Sequence, residues 1–200
     1  MTPRLCLIAP PELVSGGAAL RSFRETFAAA LGAGDVASVL LSTDGLQPEE
    51  KEGAVQLLCP LAQEAGAAFL VQGDADRAHQ WDCDGVQLPA DPKEIKRIRG
   101  RYGDDMIIGA DCGTSRHAAM LAGEAGCDYV AFSTEDREGI AWWAELMEVP
   151  CIAYGSIDLQ NAPDLVTLGA DFLAVDTAVW QHPEGAAAAV AHFNRLLGGS

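Results

Sequence analysis

One phrase returns along this chain and limits what it can fold into: a glycine or other small residue, often an aspartate, then a short apolar run. It reads Gly34-Asp35-Val36-Ala37-Ser38-Val39-Leu40-Leu41, then Gly66-Ala67-Ala68-Phe69-Leu70-Val71-Gln72, then Cys83-Asp84-Gly85-Val86-Gln87-Leu88. It comes back as Gly126-Cys127-Asp128-Tyr129-Val130-Ala131-Phe132 and as Gly169-Ala170-Asp171-Phe172-Leu173-Ala174-Val175. Glycine supplies the left-handed residue that closes a helix, and the apolar run after it suits a strand covered on both faces. Residues 5–9, 106–110 and 150–154 bring the strands to eight. Helical stretches lie between them, among others at 18–31, 48–65, 115–125 and 185–197, with a short one at 76–81. Strict alternation of strand and helix predicts a parallel sheet with right-handed crossovers. Eight units in 200 residues predict an α/β chain forming one (β/α)8 TIM barrel domain, of the phosphate-binding type, over residues 1–200. The rival doubly wound sheet would want a G-x-G-x-x-G after its first strand, and none is there.

A net charge of −16 argues against nucleic acid and against anionic membrane as partners. The basic run Lys93, Lys96, Arg97, Arg99 and Arg101 reads as a solvated helix face. The longest apolar runs, 172–175 and 36–41, are far too short to span a bilayer. No basic stretch followed by an apolar core opens the chain, so a cytoplasmic location is expected. The six cysteines, at 6, 59, 83, 112, 127 and 151, never form a CxxC pair, so they read as small buried apolar residues. A phosphorylated small molecule is the expected ligand, and a homo-oligomer is compatible with the chain.

In a barrel of this kind the chemistry sits at the C-terminal ends of the strands. Gly155-Ser156-Ile157 after strand seven and Asp176-Thr177-Ala178 after strand eight occupy the place where such barrels cradle a phosphate. Gly155, Ser156, Asp176 and Thr177 are the phosphate-binding candidates, against plain tight turns. Asp44, Asp74, Asp111 and Asp176 fall at or just after strand ends, with Asp91 nearby. Together such carboxylates suit Mg²⁺ and substrate phosphate, whereas singly each suits a helix cap. Arg116 and Arg137 can grip an oxyanion in a bidentate way, and Arg77 is a third arginine near the mouth. His117 is a candidate acid or base, and Trp142 and Trp143 read as one packing anchor and one lid residue.

The order of motifs resembles the thiamine phosphate synthase family over nearly the whole chain. Residues 83–88, CDGVQL, are similar to the family's ADGVHL, with Gln87 for its His. Met106-Ile107-Ile108-Gly109 resembles the strand that opens IIGxS, and residues 125–130, AGCDYV, resemble AGADYV. Residues 152–157, IAYGSI, are similar to AIGGI, and 174–178, AVDTA, to AVVSA. The resemblance implies a transferase that joins hydroxymethylpyrimidine diphosphate to a thiazole phosphate with Mg²⁺, releasing diphosphate. On that reading Asp74 and Asp91 are metal ligands, Gln72, Gln87 and Ser133 contact substrate, and Arg116 or Arg137 binds diphosphate; the catalytic candidates are Asp111, Arg116 and Arg137.

The chain departs from that pattern where cations belong. The family's Gln-x-Arg-x-Lys on strand two becomes Leu40, Ser42 and Asp44, and its Asn-Asp after strand three becomes Gln72-Gly73, with Asp74 one place later. Its lysine-bearing loop after strand six becomes Ser133-Thr134-Glu135-Asp136-Arg137. The working His of the sister thiazole tautomerases is replaced by Asp111-Cys112-Gly113-Thr114. The expectation is a divergent synthase with a degraded diphosphate and metal arm. Two readings stand beside it: a non-catalytic binder or sensor of a phosphorylated thiazole or thiamine species, and a different lyase or isomerase using Asp111 as base.

Overall fold

Eight parallel strands close on themselves in chain order in the computed structural model, which describes residues 2–198. They are β1 (Arg4–Ala9), β2 (Val36–Leu41), β3 (Ala68–Gln72), β4 (Gly85–Pro89), β5 (Ile107–Gly113), β6 (Tyr129–Ser133), β7 (Cys151–Tyr154) and β8 (Phe172–Val175). β8 pairs back onto β1, Leu5 opposite Leu173. The helices are α1 (Pro11–Val14), α2 (Gly17–Leu31), α3 (Pro48–Glu64), α4 (Ala75–Gln80) and α5 (Pro92–Tyr102). They continue with α6 (Arg116–Ala125), α7 (Arg137–Leu146), α8 (Ala162–Thr167), α9 (Thr177–Trp180) and α10 (Ala186–Gly198). The fold is the (β/α)8 barrel. Among the described residues no helix is long and apolar enough to cross a membrane. All six cysteines are free and buried.

The aspartate of the repeated phrase has a structural role that spacing did not reveal. Asp84, just before β4, accepts the Phe69 N–H of β3 at 2.7 Å. Asp128, before β6, accepts the Ile108 N–H of β5 at 2.6 Å, and Asp171, before β8, accepts the Cys151 N–H of β7 at 2.9 Å. Before β2, Asp35 takes a bidentate pair from the Arg4 guanidinium at 2.7 Å. Each of these carboxylates sutures the bottom of one strand to the next. A strand N–H left bare beside the core would cost about 1–3 kcal/mol, so the device recurs for a physical reason.

Two layers follow from period-two alternation. Outward residues such as Leu7, Val39, Phe69, Val86, Ile108, Phe132 and Leu173 form the main core with the helices. On α2 the buried positions Phe23, Phe27, Ala30 and Leu31 recur at helical spacing. Phe23 meets Trp180 edge-on at 4.9 Å, and the Trp180 indole N–H donates to the Ile8 carbonyl at 2.6 Å, so α9 is fastened to the wall behind the end of β8. Trp143 is the packing anchor: it is 2% exposed and donates to the Val149 carbonyl at 2.7 Å. Trp142 lies instead under the Arg116 guanidinium at 5.5 Å.

The inward side chains leave two cavities in the barrel. One of about 150 Å³ opens at the C-terminal mouth, and one of about 160 Å³ opens at the opposite end beside Arg4, Ala37, Ala68 and Phe172. Cys6, Ser38, Leu70, Tyr129 and Ile152 line both, so a single tier of side chains separates them.

Candidate active site

Polar groups of the mouth cavity come from inward positions along β2 to β7 and from Ser42 just after β2, and most are tied in pairs. Tyr129 reaches from β6 across β5 to β4, where its hydroxyl donates to Gln87 Oε1 at 2.9 Å. That crossing requires Gly109, since a Cβ there would lie 2.1 Å from the phenol ring. The Tyr154 hydroxyl donates to Asp111 Oδ1 at 2.8 Å, and the Gly113 N–H donates to the same oxygen at 3.1 Å. An irregularity in the β5–β6 register between Asp111 and Gly113 accompanies this turn of the chain. The Ser42 hydroxyl donates to Gln72 Oε1 at 3.0 Å. Burial pushes the Tyr129 phenol well above its ordinary range, and burial with the Asp111 hydrogen bond pushes Tyr154 up. Both phenols are therefore protonated donors at neutral pH.

A second pocket, of about 190 Å³, adjoins the first through Gln72, which lines both. It lies between the loops after β2 and β3 and is lined by Thr43, Lys51, Asp74, Arg77 and Trp81 among others. Lys51 stands in the first turn of α3, whose start is set by Pro48 at N1 and by Glu50 accepting the Gln47 N–H at 2.9 Å. The Arg77 guanidinium lies 5.8 Å from the Trp81 ring centre. Neither cation enters an ion pair among the described residues. Lys51 and Arg77, beside the one carboxylate of Asp74, make this pocket a candidate anion site in a strongly acidic protein.

At the loops after β7 and β8, Gly155 has φ +125°, and a Cβ there would meet Thr134 Oγ1 at 2.7 Å. The Ser156 carbonyl is held by Asn161 Nδ2 at 2.7 Å. Asp176 brings a carboxylate to this cup, and Oδ1 already accepts the Thr177 N–H, the donor a phosphate would want.

The structure gathers some of the residues read from the sequence and separates others. Gln72, Gln87 and Asp111 line the mouth cavity. The Ser133 hydroxyl instead accepts the Glu135 N–H at 3.2 Å within its own loop. Arg116 faces Asp136 and Glu138 at 3.8 Å, and Arg137 faces Asp164 at 3.3 Å; neither lines the two mouth pockets. Asp74 caps α4 through Oδ1, accepting from Asp76 and Arg77 N–H, and Asp91 caps α5 by accepting from Lys93 N–H at 2.9 Å. Asp44 and His117 are exposed. Tyr154, Tyr129 and Lys51 were missed by sequence reasoning. The tyrosines lay in runs read as strand core, and Lys51 is a lone cation three residues into a helix.

Comparisons with known proteins point to one family. Residues 5–179 match the family model described as thiamine monophosphate synthase. A thiamine-phosphate synthase of Rhodospirillum centenum is 45% identical, covering 98% of each chain. One from Hyphomonas neptunium is 43% identical over 97% of this chain and 93% of its own. In fold, the chain is similar to a thiamine phosphate pyrophosphorylase from Pyrococcus furiosus, with TM-score 0.82 at 24% identity, covering 98% of this chain and 96% of that one.

Proposed function

Since the chain belongs to the thiamine monophosphate synthase family, we propose that its barrel mouth joins a pyrimidine diphosphate to a thiazole phosphate, yielding thiamine phosphate and diphosphate. The C–O bond from the pyrimidine methylene to diphosphate breaks, and the electron pair leaves with the diphosphate. The thiazole nitrogen then supplies the pair that forms the new C–N bond. In this reading Lys51 and Arg77 hold the departing diphosphate, replacing the cations missing from β2. Gln72 and Gln87 face the pyrimidine, and Tyr154 with Asp111 closes the side wall. Gly155, Ser156 and Thr177 receive the thiazole phosphate once Asp176 turns off the Thr177 N–H. Arg116 and Arg137, engaged elsewhere, stabilise the β5–α6 and β6–α7 loops. The observation that carries the reading is the pair of adjoining cavities sharing Gln72, one apolar and hydrogen-bonded, the other cationic.

Magnesium fits this arrangement through one protein carboxylate. Asp74 keeps an oxygen beyond the one used in capping, whereas Asp91 does not line the pocket. Mg²⁺ commonly binds through one or two carboxylates together with substrate phosphates and water. When bound it would neutralise charge on the diphosphate.

The test is formation of thiamine phosphate from both substrates with Mg²⁺. Product formation that falls about a hundredfold or more in Lys51→Ala/Arg77→Ala is expected, because such donors typically contribute that much. The absence of cations on β2 favours a second reading, a binder or sensor. Tight thiazole phosphate binding with no product at high enzyme concentration would establish it instead.

A further inference from the structure

We infer that His182, Glu184 and His192 form a binding site for a divalent first-row transition metal, apart from the mouth of the barrel. His182 and Glu184 lie in the loop between α9 and α10, and His192 lies on α10. One ligand atom from each lies within 4.8 Å of the other two, and this is the one such group of three His, Cys, Asp or Glu among the described residues. The His192 Nε2 and Glu184 Oε2 atoms are 4.0 Å apart, too far for a hydrogen bond. Two donors on a tetrahedral ion with bonds near 2.1 Å sit roughly 3.4 Å apart, so modest side-chain rotations of the three residues close the set. The two imidazoles meet edge to face at 5.5 Å and are half-buried, so they are already held together.

The loop itself presents the ligands. Gly185, at φ +89°, donates its N–H to the His182 carbonyl at 2.9 Å, and the Glu184 N–H donates to His182 Nδ1 at 3.2 Å. Two imidazoles and one carboxylate select zinc, cobalt or nickel over magnesium, which prefers oxygen donors and water. Three protein ligands leave a fourth position for water or a further ligand. The ion ties α10 to the chain leaving α9, whose first residue, Thr177, belongs to the phosphate cup.

The experiment is calorimetric titration of tag-free, fully reduced, chelator-treated protein with ZnCl₂ and separately with MgCl₂. One zinc per chain is expected, unaffected by excess Mg²⁺. Binding should weaken at least tenfold in His182→Ala, in His192→Ala and in Glu184→Gln, with circular dichroism unchanged. Zinc should raise the thermal midpoint of the unaltered chain and not of the double histidine variant. No zinc binding, or binding as tight in all three variants as in the unaltered chain, would overturn the proposal. Loss of thiamine phosphate formation has no bearing on either result, so the site stands or falls apart from the proposed reaction.

Discussion

Replacing Asp176 by Asn isolates the effect of one negative charge in the phosphate cup. The Asp176 carboxylate accepts the Thr177 N–H, so an incoming phosphate meets both a competitor for that donor and a like charge. Two unit charges about 4 Å apart repel by about 1 kcal/mol in water and about 4 kcal/mol at an effective dielectric near 20. Asp176 is half-buried at the rim, so its contribution falls between these limits. At about 1.4 kcal/mol per factor of ten, Asp176→Asn should tighten thiazole phosphate binding between about fivefold and several hundredfold. Asp176→Ala, which also frees the Thr177 N–H, should do at least as well. Calorimetry with thiazole phosphate, repeated at high salt, reads this directly, and the gain should shrink as salt screens the charge. Unchanged or weaker binding in Asp176→Asn would refute the reasoning, because the carboxylate would then be assisting the ligand rather than opposing it.

Lys51→Ala and Arg77→Ala should each weaken diphosphate binding tenfold or more, since a charge-assisted contact contributes about 1.5–3 kcal/mol; Arg116→Ala, whose side chain faces Asp136 and Glu138, should change it little. Equal effects from all three would assign the anion site wrongly. Gly155→Leu should abolish thiazole phosphate binding, because φ +125° and the 2.7 Å approach to Thr134 Oγ1 leave no room for a side chain; calorimetry showing wild-type affinity removes the cup. Gly109→Ala should destabilise the fold by about 1–3 kcal/mol, a drop in Tm of roughly 2–12 °C, as Tyr129 is displaced from Gln87. An unchanged melting curve would mean that the phenol does not cross β5.

The barrel was legible because its strands are covered on both faces, which leaves continuous apolar runs, and because glycine and aspartate punctuate them. What the aspartates do was not legible. Asp84 and Asp128 stood out only as members of the repeated phrase, yet each accepts an N–H from the preceding strand, a contact between elements about fifteen to twenty residues apart. The mouth was legible in part for the same reason. Gln72 ends β3, and Gln87 and Asp111 fall at inward positions further back on β4 and β5, so alternation alone places them in the cavity. Lys51 enters its pocket from a helix, and its direction depends on how Pro48 and Glu50 start that helix. Arg116 and Arg137 were read as free cations because their acidic partners, Asp136, Glu138 and Asp164, become neighbours only when the helices pack side by side.

The single tier formed by Cys6, Ser38, Leu70, Tyr129 and Ile152 bears on the fidelity of the proposed reaction. A pyrimidine methyl cation does not distinguish thiazole nitrogen from water by affinity; whichever nucleophile is present captures it. The far cavity opens to solvent, and only this thickness of side chain separates it from the mouth cavity. Tyr129 is the broadest member, and its hydrogen bond to Gln87 keeps the partition shut. In the proposed reaction, coupling efficiency, the fraction of released diphosphate that ends as a C–N bond rather than as alcohol, would then depend on Tyr129 as well as on the groups that hold the substrates.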